Sequence, residues 1–353
     1  MSLTELFGIK LPLIQAPMAG VQGSALAIAV CNAGGLGSLP CAMLGAQALR
    51  EELTRIRGGT DKPVNVNFFC HVQPAQDPLR DERWSTALSR YYREFGIDPA
   101  SIAAGPGRLP FDANAADILD EFRPEVVSFH FGLPSPDLLA RARAHGAKIL
   151  STATTVAEAR WLEEQGVDAI IAQGLEAGGH RGIFLTEDVT TQLGTFALLR
   201  QVVQAVRVPV IAAGGIADAA GVAAAMALGA AGVQIGTAYM LCPESTTSAV
   251  HRAALVSGAA VHTALTNLFT GRPARGIVNR IMREMGPLNG EVVPPFPLAT
   301  AAIAPLRAAA EQRGSGDFSP LWSGQNASGC KPIPAADLTR ELMANHAPAL
   351  RSE

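Results

Sequence analysis

Short, uninterrupted apolar runs recur along the chain, each closing on glycine or a small residue. Eight of them predict strands: 13–18 (LIQAPM), 35–39 (GLGSL), 63–69 (PVNVNFF), 126–132 (VVSFHFG), 148–153 (KILSTA), 168–173 (DAIIAQ), 208–213 (VPVIAA) and 232–236 (GVQIG). Runs without alternation describe strands covered on both faces, hence parallel strands. Helical spacing between them predicts helices at 24–33, 45–57, 114–122, 135–145, 155–165, 190–206 and 218–228. Ser24 and Asp218 stand as N-caps, and Gly34, Gly146, Gly166 and Gly229 as C-terminal stops. Alternation of this kind predicts an α/β protein, a TIM (β/α)8 barrel.

Two segments break the alternation. Residues 70–113 are rich in Pro, Arg and Asp and lengthen the connection after the third strand. Residues 245–353 mix helix and loop, with a Pro/Gly-rich section from about 286 to 336. The expected organisation is a barrel over 1–244 with an excursion near its site. A small, mostly helical cap over 245–353 would partly pack back on it.

Composition narrows the function classes. The 353 residues are 48% apolar and 17% charged, enough for a large core and too ordered a composition for bulk disorder. The 28 Lys plus Arg nearly balance the 31 Asp plus Glu, for a formal charge of −3. That balance argues against nucleic-acid and polybasic membrane surfaces. The stretch 219–243 carries no charge, but its Ala/Gly content and the breaks at Gly229 and Gly232 read as helix then strand, not as a membrane span. The five cysteines are scattered without C-x-x-C, which fits core thiols in a reducing, cytoplasmic setting and no zinc site. The opening MSLTELFGIKLPLIQAP lacks the pattern of a signal peptide.

Candidate chemistry gathers at the ends of the predicted strands, where barrels of this class place their active sites. P-loop, nucleophile-elbow, zincin and complete dinucleotide-fingerprint motifs are absent. The seventh strand ends Ala213-Gly214-Gly215 and the eighth Gln234-Ile235-Gly236-Thr237. Such turns either simply reverse the chain tightly or let backbone amides approach a phosphate. After the sixth strand, Gln173-Gly174-Leu175-Glu176-Ala177-Gly178-Gly179-His180-Arg181-Gly182 sets one imidazole in a glycine-rich loop. It is suited to abstracting a proton or stabilising a developing anion. Glu176 and Arg181 read as charges that fix the loop.

Asn67 ends the third strand, and Pro17, Met18 and Ala19 the first, where a flat ring would lie against bare backbone. His71 faces the same mouth or stands behind it, and His130, within the fourth strand, points into the barrel or, as the preferred reading, packs in the core. Gln325 and Lys331 reach the mouth only if the tail caps it.

The motifs QAPMAGVQG…NAGGLGSL (15–39), VNVNFF (64–69), QGLEAGGHRG (173–182) and AAGGIADAAGVAAAMALGAAGVQIGTAYM (212–240) together resemble the FMN-dependent nitronate monooxygenases. TNLFTGRPARGIVNR (266–280) and LWSGQNASG (321–329) extend the likeness along nearly the whole chain. The resemblance implies FMN at the strand ends. Asn67, Gln173, Gly178 and the Gln234–Thr237 segment, Ile235 included, would hold it, with Gly215, Gly236 and Thr237 near its phosphate and Gly179 and Gly214 in the same turns. Pro17, Met18 and Ala19 would lie beside the ring, and His180 would be catalytic. Implied too are oxidation of alkyl nitronates or nitroalkanes by O2 to a carbonyl compound and nitrite, and a homodimer. Related barrels with similar G-G-H motifs are flavin-dependent enoyl-acyl-carrier-protein and NADH:quinone reductases, so an NAD(P)H reductase is the alternative. A non-catalytic flavin-binding barrel is the third reading, against which the histidine in the glycine loop speaks.

Overall fold

In the computed structural model, which describes residues 2–102 and 107–346, the predicted strands pair side by side and in parallel. Residues 1, 103–106 and 347–353, parts of the expected barrel, excursion and cap, lie outside the described residues. The chain forms β1 (Leu13–Gln15), β2 (Gly37–Pro40), β3 (Val64–Phe69), β4 (Val126–His130), β5 (Lys148–Ala153) and β6 (Ala169–Gln173). A two-residue β7 (Gly179–His180) follows, then β8 (Val210–Ala213), β9 (Gly232–Ile235), β10 (Thr263–Thr266) and β11 (Ala274–Ile277). Eight strands run in the order β1-β9-β8-β6-β5-β4-β3-β2, and a parallel bridge from Ile14 to Leu36 joins the two ends. The Leu36 amide donates to Leu13 at 2.8 Å and the Gln15 amide to Leu36 at 2.9 Å. This is the TIM barrel expected from the alternation.

Several boundaries shift for local reasons. β1 ends at Gln15 because the ladder stops with the Ala16 amide on Ile235, and Pro17 has no amide to continue it. Ser24 is the first helical residue of Ser24–Ala33, not its cap; Gly23 takes that place, and the Ser24 amide is satisfied by Glu52 at 2.6 Å. Asp218 does cap its helix, accepting from the Gly221 amide at 2.7 Å. The helix expected from 190 begins at Thr195, after a 3-10 turn over Val189–Thr191. The uncharged 219–243 stretch folds as the helix Ala219–Ala227, β9 and a 3-10 turn, and among the described residues no helix is long and apolar enough to cross a membrane.

The N-terminal helix Leu3–Phe7 closes the lower end of the barrel. Leu3, Phe7 and Ile9 pack with Ile14, Leu36, Leu150, Ile171 and Ile211 from the strands.

The excursion contains an 18-residue helix, Pro78–Phe95, that the strand–helix count leaves out. Asp77 caps it by accepting from the Arg80 amide at 3.1 Å, Pro78 opens its first turn, and Gly96 stops it in the left-handed region. Its buried side chains, Trp84, Leu88, Tyr91 and Tyr92, recur at helical spacing and meet Ile303, Leu306 and Ala310 of the helix Thr300–Gln312. Excursion and tail thereby share a second core, separate from the barrel's. The tail also adds an antiparallel sheet, β10-β11-β7, whose register sets Ala274 opposite His180. That pairing ties the glycine-rich loop to the cap.

Candidate active site

A cavity of about 170 Å³ opens at the C-terminal ends of the strands, under the cap. The first-strand loop lends Pro17, Met18 and Ala19, β3 lends Asn67, and β6 with its loop lends Gln173, Gly178, Gly179 and His180. The far wall is Gly214 and Gly215 after β8, then Gln234, Ile235, Gly236 and Thr237 from β9 and its turn. Every residue singled out above for catalysis or cofactor contact therefore lines one space. Gln325 and Lys331 do not: Gln325 is exposed, with its amide on the Glu176 carbonyl, and Lys331 pairs with Glu341. His71 stands behind the wall, its ring 4.7 Å from that of Phe296 and its Nε2 3.0 Å from the Arg108 carbonyl.

The glycines of the far wall hold the backbone where a side chain would not fit. Gly214 and Gly215 have φ of +119° and +73°, and a Cβ on Gly214 would stand 2.7 Å from Thr195 Oγ1. A Cβ on Gly178 would stand 2.5 Å from the Gly324 amide nitrogen, so strand-end loop and tail touch backbone to backbone. Gly324 in turn donates to Thr237 Oγ1 at 3.0 Å, and Asn326 Nδ2 to the Gly215 carbonyl at 3.1 Å. The tail thus straps both glycine turns. Within this cradle Gln234 Oε1 is buried and, among the described residues, has no protein partner.

His180 is held mainly through its backbone. Its carbonyl accepts from Gln173 Nε2 at 2.9 Å and from His130 Nε2 at 3.2 Å. Both ends of the Gln173 amide serve this loop, since Oε1 accepts the Gly182 amide at 2.8 Å. Asn67 donates to Ser128 Oγ at 2.9 Å. Glu176 accepts from Thr195, and Arg181 is fully buried with Nε on Gln192 and Nη2 on the Gln173 carbonyl, so both charges fix the loop as expected.

The rings of Phe296, Trp322, Phe69 and Phe131 surround the His180 imidazole at 5.3, 5.6, 6.0 and 6.1 Å. Burial, followed by the positive charge of Arg108, holds its pKa well below the usual histidine range. The ring is neutral near pH 7.

The lining residues outside the expected set include Phe69, Arg108, His130 and Trp322. His130 is not core packing alone. Its ring lines the cavity, with Nδ1 3.1 Å from Thr152 Oγ1, and burial pushes its pKa down to about 3. Arg108 comes from the excursion and lies with its guanidinium 5.8 Å from the Phe296 ring. Among the described residues no carboxylate pairs with it; it donates to Thr300 Oγ1 at 3.4 Å, and its Nε is buried without a partner. Trp322 belongs to the LWSGQNASG motif, which did carry a signal.

The model of the nitronate monooxygenase family matches residues 1–345. The chain belongs to the nitronate monooxygenase family. A nitronate monooxygenase of Pseudomonas aeruginosa is 44% identical over 348 residues, 96% of this chain and 97% of its own. A solved nitroalkane oxidase from Streptomyces ansochromogenes superposes with a TM-score of 0.86 at 39% identity, covering 98% of this chain and 97% of that one. FabK from Thermotoga maritima superposes less closely, with a TM-score of 0.71 at 27% identity over 98% of this chain and 95% of its own. As a member of the nitronate monooxygenase family the protein is an oxidoreductase.

Proposed function

We propose that the cavity binds FMN and that the enzyme oxidises alkyl nitronates, and nitroalkanes after deprotonation, with O2 to a carbonyl compound and nitrite. When bound, FMN supplies electron acceptance and the reaction with O2. The cavity suits such a group on two counts. The turns Gly214–Gly215 and Gly236–Thr237 form a narrow backbone cradle of the kind a phosphate needs, and Gln234 Oε1 offers an unpaired acceptor to a ring N–H. The Asp218 carboxylate already satisfies the helix start at Gly221, so the loop amides, not that helix terminus, would meet the phosphate. Pro17, Met18 and Ala19 would flank the ring.

The observation that carries the reading is a neutral imidazole and a guanidinium that has no carboxylate partner among the described residues, both lining one cavity. A neutral His180 is a base, not a cationic anchor. With a neutral nitroalkane it takes the α-proton; with a preformed nitronate it offers only a hydrogen bond. The positive charge that the anion needs comes from Arg108 instead, whose Nε is buried without a partner among the described residues.

The test is Arg108→Gln. Losing a charge-assisted contact of about 1.5–3 kcal/mol should raise the KM for ethyl nitronate about 10- to 100-fold. FMN content and the kcat for the nitronate should change little. An unchanged KM in steady-state assays would remove Arg108 from substrate binding.

A further inference from the structure

We propose that Thr270 is a positioning residue whose hydroxyl fixes His180 in the Nε2–H tautomer, making Nδ1 the nitrogen that takes the substrate's proton. The inference rests on the reading of His180 as the base. Thr270 lies in the turn between β10 and β11 and is 1% exposed. Its Oγ1 is 2.9 Å from His180 Nε2 and 3.4 Å from the Arg272 carbonyl oxygen.

One placement of the protons satisfies both contacts, the short one to His180 and the longer one to the Arg272 carbonyl. A hydroxyl carries one proton, and a carbonyl oxygen can only accept. The Thr270 proton therefore goes to Arg272, and the Thr270 oxygen receives Nε2–H from His180. A neutral imidazole with its proton on Nε2 has its unshared pair on Nδ1. Among the described residues no protein group bonds that nitrogen, while the ring lines the cavity.

His130 obeys the same logic with a different end. Its Nε2 faces the His180 carbonyl and must donate to it, so its Nδ1 accepts from Thr152 Oγ1. Both nitrogens of His130 are thus committed. Of the two imidazoles on the cavity, His180 alone keeps a nitrogen for substrate.

The register of the cap explains how Thr270 arrives there. β11 pairs with β7 so that Ala274 lies opposite His180, and the turn preceding β11 brings Thr270 back over the imidazole. In the proton step, the C–H bond beside the nitro group breaks and its proton bonds to Nδ1. The electron pair passes to the nitro group, giving the nitronate. The imidazolium keeps its other proton on Nε2, hydrogen-bonded to Thr270 Oγ1, so only one proton moves.

The experiment compares Thr270→Val, which removes the hydroxyl at nearly constant shape, with Thr270→Ser, which keeps it. In FMN-loaded protein carrying 15N-histidine, long-range 1H–15N spectra report each ring's tautomer, and His180→Asn identifies the His180 signals. Wild type and Thr270→Ser should show His180 as the Nε2–H form; Thr270→Val should show a mixture or the Nδ1–H form. With nitroethane, Thr270→Val should lower kcat about 10- to 100-fold at unchanged flavin content, Thr270→Ser should restore most of it, and turnover of preformed ethyl nitronate should change less than about 3-fold. A wild-type His180 protonated on Nδ1, or an unchanged tautomer in Thr270→Val, overturns the proposal whatever the kinetics. If the tautomer responds as expected while wild type turns over neither substrate, the role of Thr270 stands and the reading of the reaction falls.

Discussion

Replacing His180 with Asn should lower turnover of nitroethane about 10²- to 10⁴-fold, the usual weight of a general base, while FMN stays bound. The substitution leaves the loop's scaffold alone. The contacts that hold His180 are made to its carbonyl, by Gln173 and His130, and β7 remains paired with β11. Preformed ethyl nitronate needs no deprotonation, so its oxidation should fall far less. The pH dependence follows from the same environment. Burial first, then the positive charge of Arg108, holds the folded pKa of His180 well below 6.5. The base is active when unprotonated. In wild type, kcat/KM for nitroethane should therefore keep its plateau as pH falls through 6.5 and decline only in more acidic solution. A solvent-exposed imidazole would already have lost half its activity near its reference pKa of about 6.5. Initial rates of the two substrates across that range check both statements. Equal loss with nitroethane and nitronate would take the base role from His180.

The second large effect concerns the cap. Trp84→Ala should cost about 3–5 kcal/mol of stability, the range for deleting a fully buried aromatic side chain. Trp84 is 1% exposed and sits in the core that the excursion helix shares with Leu268, Phe269, Ile303 and Phe318. Its Nε1 also donates to the Ala299 carbonyl at 3.2 Å, a bond the variant loses. This core supports the roof of the cavity, since Phe296 precedes the helix Thr300–Gln312 and Arg108 bonds Thr300. Urea unfolding should show the lower stability, and the KM for ethyl nitronate should rise with it. A cost under about 1 kcal/mol would mean that the helix is not held by this face.

The barrel was legible in the sequence because its strands are covered on both faces, and continuous runs such as VNVNFF and DAIIAQ have no other common explanation. The cavity walls were legible for a related reason. Glycine at a strand end fills no core, and Gly214 and Gly215 there hold backbone with positive φ that other residues rarely adopt. The helix Pro78–Phe95 was hidden by its own exposed face. Arg80, Asp81, Arg83, Arg90, Arg93 and Glu94 dominate its composition, while its apolar residues Trp84, Leu88, Tyr91 and Tyr92 occupy a single face. Asp77-Pro78 at its start and Gly96 at its end were the signals to read.

Arg108 had no local signal at all. It enters the cavity only because the excursion docks on the tail, a contact between segments nearly 200 residues apart, as its bond to Thr300 shows. His130 was misjudged because a buried strand residue reads as core whether or not a cavity lies beside it. For Gln173 the residue was found, but the engagement of its amide with Gly182 and the His180 carbonyl depends on how the loop folds back.

The central claim is that this cavity takes electrons from a nitronate through FMN. Anaerobic mixing of the FMN-loaded protein with propionate 3-nitronate, and separately with NADH, tests it while the flavin absorbance is followed. The nitronate should bleach the flavin and NADH should not; bleaching by NADH with an inert nitronate would contradict electron transfer from a nitronate.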